Sequence, residues 1–283
     1  MKKSLALLIT LCVAAPMLAQ SKTRYLISMR TPAGKSALRI VSDAAGAGAH
    51  DLRTFSNLDF FAADLTEAEA AALQKSPDVR YLSPVVARSV EVIDMPHLQP
   101  GSEARSSHLQ TVPYGIDLVH ARDVWPVTRG KGTVNVVAID TGIDYTHPDL
   151  KAAYAGGYNV FTKTNDPKDD HIFGHGTHVA GIIAAADNDF GVVGVAPEVR
   201  LWSVKVLDAN GQGTDETVMA GLDWVISKKH EVGGKWIVNL SLGAPTPSPA
   251  ERTAFARTID EDILVVAGGR QYRVRGARLS GRL

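Results

Sequence analysis

The sequence predicts an α/β protein, a parallel sheet with helices on both faces, preceded by a small α+β unit. From Tyr114 onward, β-rich runs alternate with helical patterns, the order that builds a parallel sheet covered on both sides. The run Val134-Asn-Val-Val-Ala-Ile139 is almost continuously apolar, as a strand buried on both faces is. Before Tyr114, residues 21–92 fit a βαββαβ order of ferredoxin-like type.

In the N-terminal unit, Arg24–Met29 reads as a strand and Ala37–Ala45 as a helix. Phe55–Ala63 reads as a strand pair or bend. Thr66–Gln74 reads as a helix with a Thr cap and a Glu three residues on. Asp78–Leu82 is the next strand, with Val85–Val92 extending it. Residues 93–113, rich in Pro, Ser and His with no apolar period, read as an exposed linker where maturation by proteolysis takes place. The α/β unit then offers a short helix (Leu118–Trp125), the strand Val134–Ile139, a loop (Tyr154–Phe173) and an apolar helix starting at His175. It continues with a strand (Val199–Leu207), a helix from Thr214 to Lys229, a strand (Trp236–Leu242), a helix (Pro249–Glu261) and a last strand (Asp262–Ala267).

The 283 residues carry no formal net charge, so nothing electrostatic favours nucleic acid. Lys2-Lys3, an apolar run to Ala15 and then Pro16-Met-Leu-Ala-Gln20 read as an export signal, 1–20, cut after Ala19 or Gln20. The run is short for a membrane span, so the expectation is a secreted or periplasmic protein with no stable membrane association. The single cysteine, Cys12, lies in this segment, and a mature chain would hold no thiol.

Two residues stand out chemically. Asp140 ends the buried strand in Val137-Ala-Ile-Asp-Thr-Gly-Ile143, where an open α/β sheet faces its cleft. His175 opens a helix between Gly174 and Gly176. An acid at a strand end and a histidine at a helix start, presented to one crevice, is the arrangement in which a carboxylate orients an imidazole base. Either residue alone is commonly a turn or capping residue; the Gly-flanked pair shifts the balance.

Asp140-Thr-Gly-Ile with His147-Pro-Asp-Leu150, His175-Gly-Thr-His-Val-Ala-Gly181 and Asn239-Leu-Ser-Leu-Gly243 resemble the subtilisin-like serine proteases, over about Tyr114 to Ala267. The resemblance implies peptide-bond hydrolysis through an acyl-enzyme, with Asp140 as orienting acid, His175 as general base and His178 structural. It implies that 21–92 is an inhibitory propeptide, a partner of the catalytic unit 114–267, and that the substrate is an extended polypeptide. Gly211, Gln212 and Gly213, and Ser241, Leu242 and Gly243, resemble the two edges that pair with substrate backbone. Ala186–Val193 resembles a calcium loop, with Asp149 and Asn188 as ligands of a structural Ca²⁺; no catalytic cofactor is implied.

The pattern breaks at residue 268. The family places an oxyanion Asn after this strand and a nucleophile in a Gly-Thr-Ser-Met-Ala type motif further on; residues 268–283 are Arg-rich and hold neither. Ser280 has none of the expected context. One permitted back-translation, with one base removed, reads through Gly-Asn and Tyr-Pro-Ala, as the family does there. The tail is therefore read as a frameshift, the fold as incomplete, and the chain as written as inactive and aggregation-prone. Three other readings compete with this one. Asp140-Thr-Gly142 occurs once, whereas aspartic proteases need two facing aspartates. A zinc hydrolase on Asp169, Asp170, His171, His175 and His178 lacks His-Glu-x-x-His and leaves Asp140 unexplained. A non-catalytic protein that binds a protease through its N-terminal unit is the reading from another class.

Overall fold

The computed structural model describes residues 21–30, 39–40, 51–90, 109–132, 134–244 and 246–268. The expected export signal and the tail beyond 268 lie outside these residues, as does most of the first expected helix.

The N-terminal unit is a four-stranded antiparallel sheet of β1 (Thr23–Met29), β2 (Arg53–Phe55), β3 (Phe60–Leu65) and β4 (Val79–Pro84), ordered β2-β3-β1-β4. Alternation along β1 and β3 splits the side chains between two faces. Ile27, Phe61, Ala63 and Leu65 pack with Leu73 of α1 (Glu67–Gln74). Leu26, Phe60 and Ala62 turn to the other unit and join its core. Thr66 and Glu69 close α1 with a reciprocal capping box, as the sequence pattern predicts.

Two short helices, α2 (Tyr114–Leu118) and α3 (Ala121–Val124), stand where one was expected. His120, at φ 57°, breaks the run between them. The main sheet is parallel and five-stranded: β6 (Val134–Asp140), β7 (Tyr154–Asn159), β8 (Arg200–Lys205), β10 (Lys235–Leu240) and β12 (Ile263–Ala267), in the order β12-β10-β6-β8-β7. Val136 and Ala138 of β6 face α4 (His175–Ala184), against Ala180 and Ala184. Val137 and Ile139 face α5 (Asp215–Val232) and α6 (Pro249–Asp260), against residues such as Met219, Leu222 and Ala254. The order of layers is α1, antiparallel sheet, α5 with α6, parallel sheet, α4.

β7 corrects the expectation of a loop over 154–173. Its sequence, Tyr-Ala-Gly-Gly-Tyr-Asn, has poor strand propensity. The glycines serve close approach instead: a Cβ on Gly157 would stand 2.2 Å from the carbonyl oxygen of Ser203 in β8.

A second correction concerns Val85–Val92. This segment does not extend β4. β5 (Ala87–Val90) leaves the N-terminal sheet and pairs antiparallel with β9 (Gln212–Thr214) on one side and β11 (Leu242–Gly243) on the other. Sequence pattern fixes a strand but not its partner, because the pairing spans more than a hundred residues.

Several large apolar side chains among the described residues stand in solvent. Leu264 and Val266 of β12 are 60% and 47% exposed, and Ile182 of α4 is 53% exposed.

Candidate active site

β6 lies between β8 and β10; from β6 the chain runs to β7 on one side, and from β8 it crosses back to β10 on the other, so the winding direction reverses beside β6. Asp140 is the last residue of that strand. A crevice opens at such a switch point, and ligands bind there in open α/β sheets. α4 begins at the same place, with Gly174 in the left-handed conformation as its N-cap.

The two expected residues meet. His175 Nδ1 lies 2.7 Å from Asp140 Oδ1. An ionised carboxylate only accepts, so Nδ1 carries the proton and Nε2 is left free to take one. Asp140 is fully buried and His175 about a quarter exposed, which shelters the acid and opens the base to the crevice. The hydrogen bond to Asp140 raises the His175 pKa, burial works against it, and the charges of Asp140 and Asp169 add to the rise.

Surrounding contacts fix this geometry. Asp140 Oδ1 also accepts the Thr141 amide at 2.6 Å, and Thr141 Oγ1 accepts the Gly176 amide at 2.9 Å, tying strand end to helix start. Lys205 Nζ donates to the carbonyls of Thr141 and Leu207 and to Asp170. Asp169 accepts the amide and hydroxyl of Thr177. The two acids considered as zinc ligands are thus engaged by Lys205 and Thr177. Among the described residues, no three Asp, Glu, His or Cys side chains gather as a metal centre. His178 is exposed on α4.

The two expected edges flank one groove, and β5 fills it. Ser89 stands opposite Gln212 and Gly243, Arg88 opposite Gly213, and Val90 opposite Leu242. The Val90 amide donates to the Gly211 carbonyl at 3.0 Å. Gly211 has φ +70°, and a Cβ there would stand 2.7 Å from a Val90 methyl. Both facts require glycine. Ser241, just before β11, accepts the Asn239 amide side chain at 2.9 Å.

The N-terminal sheet is held over α5 and α6 by polar contacts. Arg24 forks onto Glu216 at 2.8 and 2.9 Å. Asn57 bonds the side chain and carbonyl of Asp223. Arg257 reaches Asp59, and Tyr81 reaches Thr253.

Asp149 and Asn188 also come together. Asn188 Nδ2 donates to Asp149 Oδ1 at 3.2 Å, and the Val192 amide donates to Asp149 Oδ2 at 3.0 Å. Sequence reasoning missed Gln110. Its Oε1 accepts the Asn188 amide and its Nε2 donates to Asp187. It lies in the segment read as linker, whose end is anchored here: Thr111 bridges to Val192. The side-chain oxygens are one carboxylate and two carboxamides, the hard donors that suit Ca²⁺.

Comparison with known proteins agrees with this geometry. Residues 130–273 match the model of the subtilase family. The intracellular serine protease of Paenibacillus polymyxa is 42% identical over 166 residues, which cover 57% of this chain and 48% of that protein. Subtilisin E of Bacillus subtilis (strain 168) is 36% identical over 215 residues, 76% of this chain and 50% of that protein. The chain thus spans about half the length of these curated relatives. In fold it is similar to the crystal structure of fervidolysin from Fervidobacterium pennivorans, a keratinolytic enzyme related to subtilisin. The TM-score is 0.66 at 23% identity, covering 88% of this chain and 40% of that one. Family motifs, site geometry and family match converge on one conclusion: the chain belongs to the subtilase family, the subtilisin-like serine proteases.

Proposed function

We propose that the site belongs to a secreted serine endopeptidase that cleaves extended polypeptides through an acyl-enzyme. The observation that carries this is the Asp140–His175 hydrogen bond beside a groove already holding an extended strand. His175 Nε2 takes the proton of a serine hydroxyl as it attacks the peptide carbonyl, then returns it to the leaving amine. Asp140 holds the imidazole in the required tautomer and stabilises its cation. The edges Gly211–Gly213 and Ser241–Gly243 hold substrate by main-chain pairing.

The N-terminal unit acts as an inhibitory propeptide, since β5 occupies the groove that substrate would use. Its polar contacts to α5 and α6 position it there. Ca²⁺ held by Asp149, Asn188 and Gln110 would brace the loop that follows α4, with no part in the chemistry. Export rests on the 1–20 segment.

The 283 residues carry the orienting acid and the base but no serine in the family's nucleophile setting. The test is to continue residues 1–267 with the C-terminal part of subtilisin E, which supplies the nucleophile and oxyanion amide, and to assay an extended chromogenic peptide. Turnover is expected, with a fall on the order of 10⁶-fold in kcat for His175→Ala, the size of the loss when subtilisin's own histidine is removed. A folded chimaera whose activity is indifferent to His175 would contradict the proposal.

A further inference from the structure

The groove contains a pocket that the main-chain pairing does not explain. Arg88, in the middle of β5, is almost wholly buried, its side chain 2% exposed. Its guanidinium grips one carboxylate, that of Glu251 in the first turn of α6. Nε lies 3.2 Å from both carboxylate oxygens and Nη2 2.9 Å from Oε2, while Nη1 donates to the Ala87 carbonyl. Leu240, Leu242 and Phe255, with Arg88 and Glu251 themselves, line a cavity beside the ion pair.

Glu251 is fixed from behind. Its amide donates to Ser248 Oγ, the N-cap of α6, and that hydroxyl donates to the buried Asp215. These residues all belong to the α/β unit. Arg88 reaches Glu251 from 163 positions away, as an occupant of a pocket whose acidic floor belongs to the α/β unit.

We infer that Glu251 forms the floor of a specificity subsite for arginine. It selects extended polypeptides that carry Arg two residues before the one paired with Leu242, the place Arg88 holds relative to Val90. The inference rests on the reading of β9 and β11 as a substrate groove. Main-chain pairing is nearly indifferent to side chains, so preference must come from pockets. A guanidinium meets a carboxylate as a planar fork, whereas lysine brings only a point charge. An apolar residue would leave Glu251 sheltered without a counter-charge, which is strongly unfavourable. The expected order is Arg, then Lys, then Leu.

The test adds the peptide acetyl-Ala-Arg-Ser-Val-amide, or its Lys or Leu analogue, to the full chain, and follows amide exchange at Val90 as β5 is displaced. The Arg peptide is expected to act at a concentration at least about tenfold below that of the Leu peptide. Glu251→Gln, nearly isosteric, is expected to erase most of that ratio. A parallel titration on Arg88→Ala, whose own occupant is weakened, reads binding of the same peptides by fluorescence anisotropy. Equal potency of the Arg and Leu peptides, or a ratio unchanged in Glu251→Gln, overturns the subsite while leaving the peptide groove standing. Failure of every peptide to bind either protein overturns the groove and the subsite together.

Discussion

The amide of Val90 donates to the carbonyl of Gly211 across 3.0 Å, joining a strand that follows the N-terminal sheet to an edge of the active-site crevice. The bond continues the pairing of β5 between β9 and β11. Replacing Val90 by Pro removes the donor and disfavours strand pairing. The loss is expected to be about 1 kcal/mol for the bond, more if the whole strand lifts. Amide exchange at Gly213 and Gly243, the partners of Arg88 and Ser89, is expected to quicken at least severalfold. Unchanged protection at both glycines would show that β5 is held by side chains alone.

Asn57 and Asp223 provide a pH-sensitive test of how the N-terminal sheet is held. Burial raises the Asp223 pKa, and the Asn57 amide and side chain work against that rise. A carboxyl whose folded pKa is raised favours folding most below its unfolded pKa. That contribution is lost as pH rises through the folded value. Asn57→Ala removes the side-chain donor to the Asp223 carbonyl but keeps the main-chain one. We expect a loss of about 1 kcal/mol near neutral pH and a further upward shift of Asp223. Thermal melts from pH 4 to 8 with side-chain carboxyl NMR check both.

Calcium should act on stability. Asp149, Asn188 and Gln110 meet from three segments of the chain, and a ligand that binds only the folded state stabilises it by mass action. At free Ca²⁺ about a hundredfold above its dissociation constant the gain is about 2.7 kcal/mol. A melting temperature that rises with Ca²⁺, and does so far less in Asp149→Asn, is the expected result. An identical melt with chelator and with millimolar Ca²⁺ would count against the site.

The legible parts of this chain were those with local causes. Asp140 and His175 each sit in a short motif whose backbone setting requires it. The Thr66 cap, the buried strand β6 and the helix from Thr214 declare themselves over a few residues. What escaped depends on distant partners. β7 was hidden because its glycines serve contact with β8 rather than strand propensity. β5 looked like an extension of β4, since nothing in Ala87–Val90 encodes β9 or β11. Gln110 carried no signal of its own 78 residues from Asn188. Nothing local marks Arg88 and Glu251, which meet only through the fold.

The Asp140–His175 pair is the chemical centre of the site, and titration of the imidazole reports on it. With ¹⁵N-labelled histidine, the His175 pKa is expected to be raised from the ordinary histidine value, with the Nδ1–H form dominant when neutral. Asp140→Asn should bring its pKa down, because the negative charge that strengthens the hydrogen bond is lost while burial remains. The sign for stability follows: the pair's contribution is full below the unfolded histidine pKa and fades as pH rises through the folded value. A His175 pKa that is ordinary in the unaltered protein, and unmoved by Asp140→Asn, would contradict the assignment of these two residues as base and orienting acid.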